Sequence, residues 1–143
     1  MYKIILPLLL TLSSWSHPTI GINKIVSHPA LDSLEEGFQI ELKKHGYENG
    51  KNLTILFENA HGNIGTSTQI SQKLKGQTPR IVIGISTPSA QSLVSAFKRT
   101  KTPVLFSAVS DPVSANLVRN LKKPEGNVTG TMDFPPQEAQ LTL

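Results

Sequence analysis

Apolar residues along the chain alternate between short β-branched runs and stretches with helical spacing. In residues 19–26, TIGINKIV, Ile20, Ile22, Ile25 and Val26 predict a short strand that Ser27, His28 and Pro29 end. Leu31, Leu34, Phe38 and Leu42 then recur at the spacing of a helix face, with Asp32, Glu35 and Glu36 early, Lys43, Lys44 and His45 late, and Gly46 as the stop. Leu53, Ile55 and Phe57 alternate across residues 52–57 and predict a second strand. A polar loop with His61, Gly62, Asn63 and Gly65 leads to a weaker amphipathic helix marked by Ile70 and Leu74 and ending near Gly76. Residues 80–91, RIVIGISTPSAQ, carry the strongest signal: Ile81, Val82, Ile83 and Ile85 read as a strand buried on both faces. Ser86 and Thr87 stop that strand, and Pro88 suits a first helical position. Thr87 is therefore predicted as the N-cap of a helix over 89–98, with Leu93, Val94 and Phe97 inward. Residues 103–109, PVLFSAV, repeat the pattern, followed by Ser110, Asp111 and Pro112 and a predicted helix over 113–121 with Leu117, Val118 and Leu121 inward. Residues 127–131 predict a last short strand, 132–136 a turn, and 137–143 the first turns of a helix whose Leu141 and Leu143 have no following element to pack with.

Strand alternating with helix predicts an α/β fold with a doubly wound parallel sheet covered on both faces. The 143 residues suffice for one domain of ordinary size and not for two. The first residues change the picture. Lys3, the apolar run from Ile4 to Leu12, and Ser14 and Ser16 at the −3 and −1 places of a cut predict a cleaved secretory signal over 1–16, with a buried first strand as the alternative. The run is about half the roughly 20 residues that span a bilayer. Cysteine is absent, so packing alone must stabilise the exported chain, and no thiol is there to carry a lipid. A free periplasmic location is expected. The net charge of +4 is scattered over Lys43, Lys44, Lys98, Arg99, Lys101, Lys122 and Lys123 at expected helix ends, without interleaved aromatics, which argues against nucleic acid.

Candidate chemistry concentrates in the strand-to-helix turns. Ser86 in GISTP superficially matches a nucleophile elbow, but Pro88 stands where that turn needs glycine. All four histidines, His17, His28, His45 and His61, precede Ser86, against the order such a hydrolase requires. No histidine pair has metal spacing and no glycine-rich phosphate loop is present, so neither metal nor cofactor is expected. What remains is a set of polar residues at strand ends: His28 after the first strand, Thr87 and Ser89 after the third, Asp111 after the fourth. In a parallel sheet these share one carboxyl edge. A helix N-terminus there offers N–H donors to a carboxylate, and Asp111 offers a partner for a cation, so together they complement a small zwitterion. Singly, Asp111 also suits an N-cap and His28 a turn.

Four blocks in order, VSHPALDSLEEGFQIELKKHGYENGKNLTILFENAHGN, IVIGISTPSAQ, TPVLFSAVSDPVSANLV and PEGNVTGTMDF, resemble the substrate-binding proteins of bacterial ABC importers of the tryptophan/tyrosine-binding type, from about Ile20 to the end of the chain. The resemblance implies the first lobe of a periplasmic-binding-protein-like fold, in which an amino acid or similar small ligand closes between two α/β lobes, and a membrane permease as partner. It implies ligand-facing positions at Ser86, Thr87, Ser89 and Ala90 in the STPSAQ turn, at Asp111 in the SDP turn and at His28 in HPALD. Residues Gly130 to Asp133 would form the first hinge strand, adding Asp133 to the candidate ligand residues. The implied division is signal 1–16, ligand-binding lobe 17–131, and hinge with the start of a second lobe at 132–143. Family members are about twice this length, so a truncated or split reading frame is expected. A non-catalytic solute-binding protein is thus the leading reading. A flavodoxin-like enzyme using the same sheet edge is the alternative, and a sugar-binding-type repressor would need a helix-turn-helix where residues 1–16 are apolar.

Overall fold

The structure, a computed structural model, describes residues 17–123 and 126–133. Elements alternate along it as β1 (Thr19–Lys24), α1 (Pro29–Lys44), β2 (Thr54–Asn59), α2 (Ile64–Gly76), β3 (Ile81–Ile85), α3 (Thr87–Phe97), β4 (Val104–Val109) and β5 (Val128–Met132). Every neighbouring pair is parallel and the strand order is β2-β1-β3-β4-β5. The α/β doubly wound reading is borne out. Right-handed crossovers explain the layers. The step from β1 to β2 runs one way across the sheet, whereas β2 to β3 and β3 to β4 run the other, so α1 lies on one face and α2 with α3 on the opposite face.

Two apolar clusters follow from that arrangement. Under α2 and α3, Leu74, Val82, Leu93, Phe97, Val104 and Val109 are fully buried, each large side chain contributing about 1.5–3 kcal/mol by leaving water. Under α1, Ile20, Ile22, Ile83 and Ile85 are covered by Leu31, Phe38 and Leu42. Among the described residues helix α1 stands alone on its face, and none of its residues is buried. It ends as its sequence predicts, with Gly46 at φ +83°, a left-handed position that glycine adopts freely.

Three expectations need correction. The second strand begins at Thr54 rather than at residue 52, because Asn49 and Asn52 spend their side chains on a turn: Asn52 accepts from the Glu48 N–H and donates to the Gly46 carbonyl, and Asn49 accepts from the Ile55 N–H. The helix expected over 113–121 does not form. Asn116 turns left-handed at φ 56°, and the N–H groups of Leu117 and Val118 both return to the Pro112 carbonyl, so only a tight turn remains. Leu117 is buried all the same. Lastly, α3 begins at Thr87, so its cap falls one residue earlier than predicted, as described below. The signal expected over 1–16 and the helix expected over 137–143 lie outside the described residues. No helix among the described residues is long and apolar enough to cross a membrane.

Candidate functional site

Strand order puts the ends of β1, β3, β4 and β5 next to one another on the carboxyl edge of the sheet, and the direction in which strands are added reverses between β1 and β3. Ligands of open α/β sheets sit outside the carboxyl ends at such a reversal. The turns carrying His28, Ser86 to Ala90, Asp111 and Asp133 therefore share that edge, as their spacing in the sequence suggests.

The turn from β3 into α3 is the most constrained of them. Ser86, not Thr87, is the N-cap of α3, and Thr87 is already its first helical residue. Ser86 lies at φ 88°, ψ 160°, a region populated essentially by glycine, at a strain of about 1–3 kcal/mol. Its N–H donates to the Ser107 carbonyl of β4 at 2.9 Å, and its carbonyl accepts the first helical bond from Ala90 at 3.0 Å. The Ser86 hydroxyl makes no capping bond, and its Oγ is buried without any hydrogen-bond partner. A buried hydroxyl without a partner carries a desolvation penalty of about 1–3 kcal/mol. Strain and an orphaned donor thus coincide at the helix N-terminus, where free N–H groups and the helix dipole favour an anion. Ala90 is fully buried behind the turn, and the side chain of Ser89 points away from the edge into the core. Of the predicted turn residues, Ser86 and Thr87 are partly accessible as residues, although the Ser86 Oγ itself is buried.

The neighbouring turns are built by capping. His28 caps α1, its Nδ1 accepting from the Ala30 N–H at 3.3 Å, with Pro29 as the first helical residue. Asp111 accepts from the N–H groups of Val113 and Ser114 through one oxygen, and from the Ser114 hydroxyl through the other. The Ser114 hydroxyl first, and then its N–H, hold the Asp111 carboxyl below its ordinary 3.8. Because the folded value is the lower one, the turn's stabilisation is complete above about pH 3.8 and fades as pH falls through the folded value. Unfolding measured against pH should accordingly lose one component of its acid limb in Asp111→Asn. The end of β4 is irregular, with a register shift between Phe106 and Val109 and Ala108 at φ 55°. Bulges of this kind re-aim side chains at functional edges. Asp133 follows β5, exposed, its N–H bound to the Val109 carbonyl.

Two residues that sequence reasoning passed over are buried at the end of β1, one on each face. Asn23 is wholly buried among serines of α2 and α3. Lys24, 6 % exposed, places its Nζ 2.5 Å from both Asp32 and Glu35 of α1. Burial acts against the Lys24 charge, but the hydrogen bonds and charges of the two carboxylates outweigh it and raise its pKa above the ordinary 10.5. The available signal was a polar pair, Asn23-Lys24, interrupting an otherwise apolar central strand. Cavities lie elsewhere: about 480 Å³ between α1 and the 47–49 loop, about 770 Å³ at the opposite edge near Tyr47 and Arg80, and about 610 Å³ beside Lys98 and Asn116. None of these is lined by the 86–90 turn. Strain, the orphaned hydroxyl and the reversal of strand order point to the carboxyl edge instead.

Comparison with known proteins shows the family. A family model described as ABC transporter substrate binding protein matches residues 19–143. A tyrosine-binding protein of Clostridioides difficile strain R20291 is 43% identical over 124 residues, which are 87% of this chain and 35% of that protein. Among solved structures, an ABC domain of Streptococcus pneumonia in complex with L-Trp is 42% identical with a TM-score of 0.75, over 82% of this chain and 39% of that one. A ligand-free, open substrate binding protein with adhesive properties from Clostridium difficile is 42% identical with a TM-score of 0.80, over 87% of this chain and 42% of that one. The chain thus spans about two fifths or less of these relatives' length.

Proposed function

The chain belongs to the ABC transporter substrate binding protein family, and from that membership we propose that its carboxyl sheet edge binds a small zwitterionic ligand such as an aromatic amino acid, with the α3 N-terminal turn receiving the ligand's carboxylate. The observation that carries the proposal is Ser86: a strained residue with a buried, unpartnered hydroxyl at a helix N-terminus. A carboxylate seated there accepts from the Ser86 hydroxyl and from free N–H groups of the first helical turn, and offsets both penalties. The names of the relatives support an aromatic amino acid, tyrosine in one and L-Trp in another. Asp111 and Asp133 stand on the same edge as partners for an ammonium group. Asp111 builds its own turn first, but a carboxylate has acceptor capacity beyond the three bonds it makes there.

The remaining functional roles are proposals on the same footing. The protein is exported behind residues 1–16, works in the periplasm as a non-catalytic binding component, and hands its ligand to an ABC permease. Residues 17–131 form the ligand-binding lobe, and 132–143 lead from the hinge into a second lobe.

Calorimetry tests the carboxylate reading directly. L-tryptophan should bind and tryptamine, which lacks the carboxylate, should not. Ser86→Gly should weaken L-tryptophan by about tenfold through the lost hydroxyl, yet unfold about 1 kcal/mol later because glycine tolerates the backbone there. Equal affinity for tryptamine, or full affinity in Ser86→Gly, contradicts the proposal.

A further inference from the structure

The buried polar network around Asn23 joins three elements. The Asn23 amide nitrogen donates to the Ser67 carbonyl at 2.9 Å, to the Ser67 hydroxyl at 3.0 Å and to the Ser71 hydroxyl at 3.0 Å, all on α2. Its amide oxygen accepts from the Ser89 hydroxyl of α3 at 3.3 Å. The Ser67 hydroxyl also meets that of Ser92 at 3.0 Å, and Ser92 in turn donates to the Pro88 carbonyl at 2.8 Å. Asn23, Ser67, Ser71 and Ser89 are all fully buried. Hydrophobic packing alone does not explain this choice of residues. An apolar cluster of the same size is as stable or more so, whereas a satisfied polar network fixes one arrangement of its members.

On α3 the network acts on the first turn. Ser89 is its third helical residue, and the Pro88 carbonyl is the one before it. The same turn rests on Gly84 of β3, the register partner of Asn23, where a Cβ would stand 2.6 Å from the Ala90 Cα and 2.7 Å from its nitrogen. The turn is therefore tied to β1 and α2 by hydrogen bonds and pressed on β3 without slack.

We propose that Asn23 and Ser89 are positioning residues of the ligand edge, holding the α3 N-terminal turn and its strained Ser86 in the geometry that receives an anion. The inference rests on the ligand reading above only for its final step, and the two are separable. Ser89→Ala and Ser71→Ala each remove one buried hydroxyl from the same Asn23 amide, so they should lower the unfolding midpoint alike. Only Ser89 is on α3. Amide hydrogen exchange of the unliganded protein should accelerate about tenfold at Ala90 to Leu93 in Ser89→Ala, and should stay unchanged there in Ser71→Ala. L-tryptophan affinity, by calorimetry, should fall in Ser89→Ala in step with the exchange. Equal acceleration of α3 in both variants, or none in either, overturns the positioning role. If the unsubstituted chain binds no L-tryptophan, the ligand reading fails while the exchange comparison still decides the role of the network. Asn23→Leu, if it folds, should show the α3 effect at least as strongly as Ser89→Ala; a slower exchange than in Ser89→Ala also overturns the proposal.

Discussion

Gly84→Ala is expected to lose about 3 kcal/mol of stability and, with it, the shape of the ligand edge. The methyl group would meet the Ala90 Cα at 2.6 Å, the Ala90 nitrogen at 2.7 Å and the Ser89 carbonyl carbon at 3.0 Å. All three are backbone atoms of the first turns of α3, so no side-chain rotation relieves the clash. Helix α3 must lift from β3. That movement opens contacts of Leu93 and Phe97, both fully buried, and strains the bonds of Ser89 to Asn23. Thermal unfolding should fall by about 10 °C for a chain of this size. A melting temperature within about 2 °C of the parent would mean that α3 has more freedom above β3 than these distances allow.

The second large effect is expected on the other face of β1. Asp32→Asn combined with Glu35→Gln leaves the Lys24 ammonium, whose side chain is 7% exposed, without a negative partner. Breaking a buried pair from the side that leaves a charge behind costs about 3–5 kcal/mol. The half-exposed Asp32 argues for the lower end, because solvent screens its share. Lys24→Met should cost less, since the carboxylates it abandons are the more exposed partners, Glu35 at 23% and Asp32 at 48%. The pH dependence provides a sign. In the parent the folded Lys24 pKa is raised, so its stabilisation is complete below 10.5 and lost as pH rises through the folded value above that. In the double variant burial acts unopposed and depresses the folded pKa, so stability should climb as pH rises toward 10.5. Chemical denaturation across alkaline pH reads both the size and the reversed slope.

Much of the fold was legible because burial on both faces writes itself into the sequence. The run IVIGI of β3 and the spacing of Leu31, Phe38 and Leu42 on α1 left little choice of element. Where the sequence misled, a local side-chain bond competed with the periodic pattern. Leu117, Val118 and Leu121 have helical spacing, but Asp111 and the left-handed Asn116 close a turn that ends before a helix can start. Thr87 after Ser86 and before Pro88 looks like an N-cap by residue type. The strained backbone moves that role to Ser86, and no rule of residue preference would choose serine there. The location of the candidate edge was legible, since parallel strands align their ends. Which atoms face it was not. Ser89 and Ala90 belong to the same STPSAQ turn as Ser86, yet one hydroxyl enters the core and one methyl group packs behind the turn. The serines at 67 and 71 and at 89 and 92 recur at helical spacing on the faces where α2 and α3 meet, and only the structure joins them to Asn23.

A ligand carboxylate seated at the N-terminal turn of α3 predicts where contacts fall. An amide NMR titration of the chain with L-tryptophan tests that placement most directly, because it maps contacts whatever the affinity. Saturable shifts should gather on Ser86, Thr87, Ser89 and Ala90, with smaller ones at His28 and Asp111 on the same edge. Shifts gathered instead around Tyr47 and Arg80 at the opposite edge, or no saturable shift at all, would contradict it.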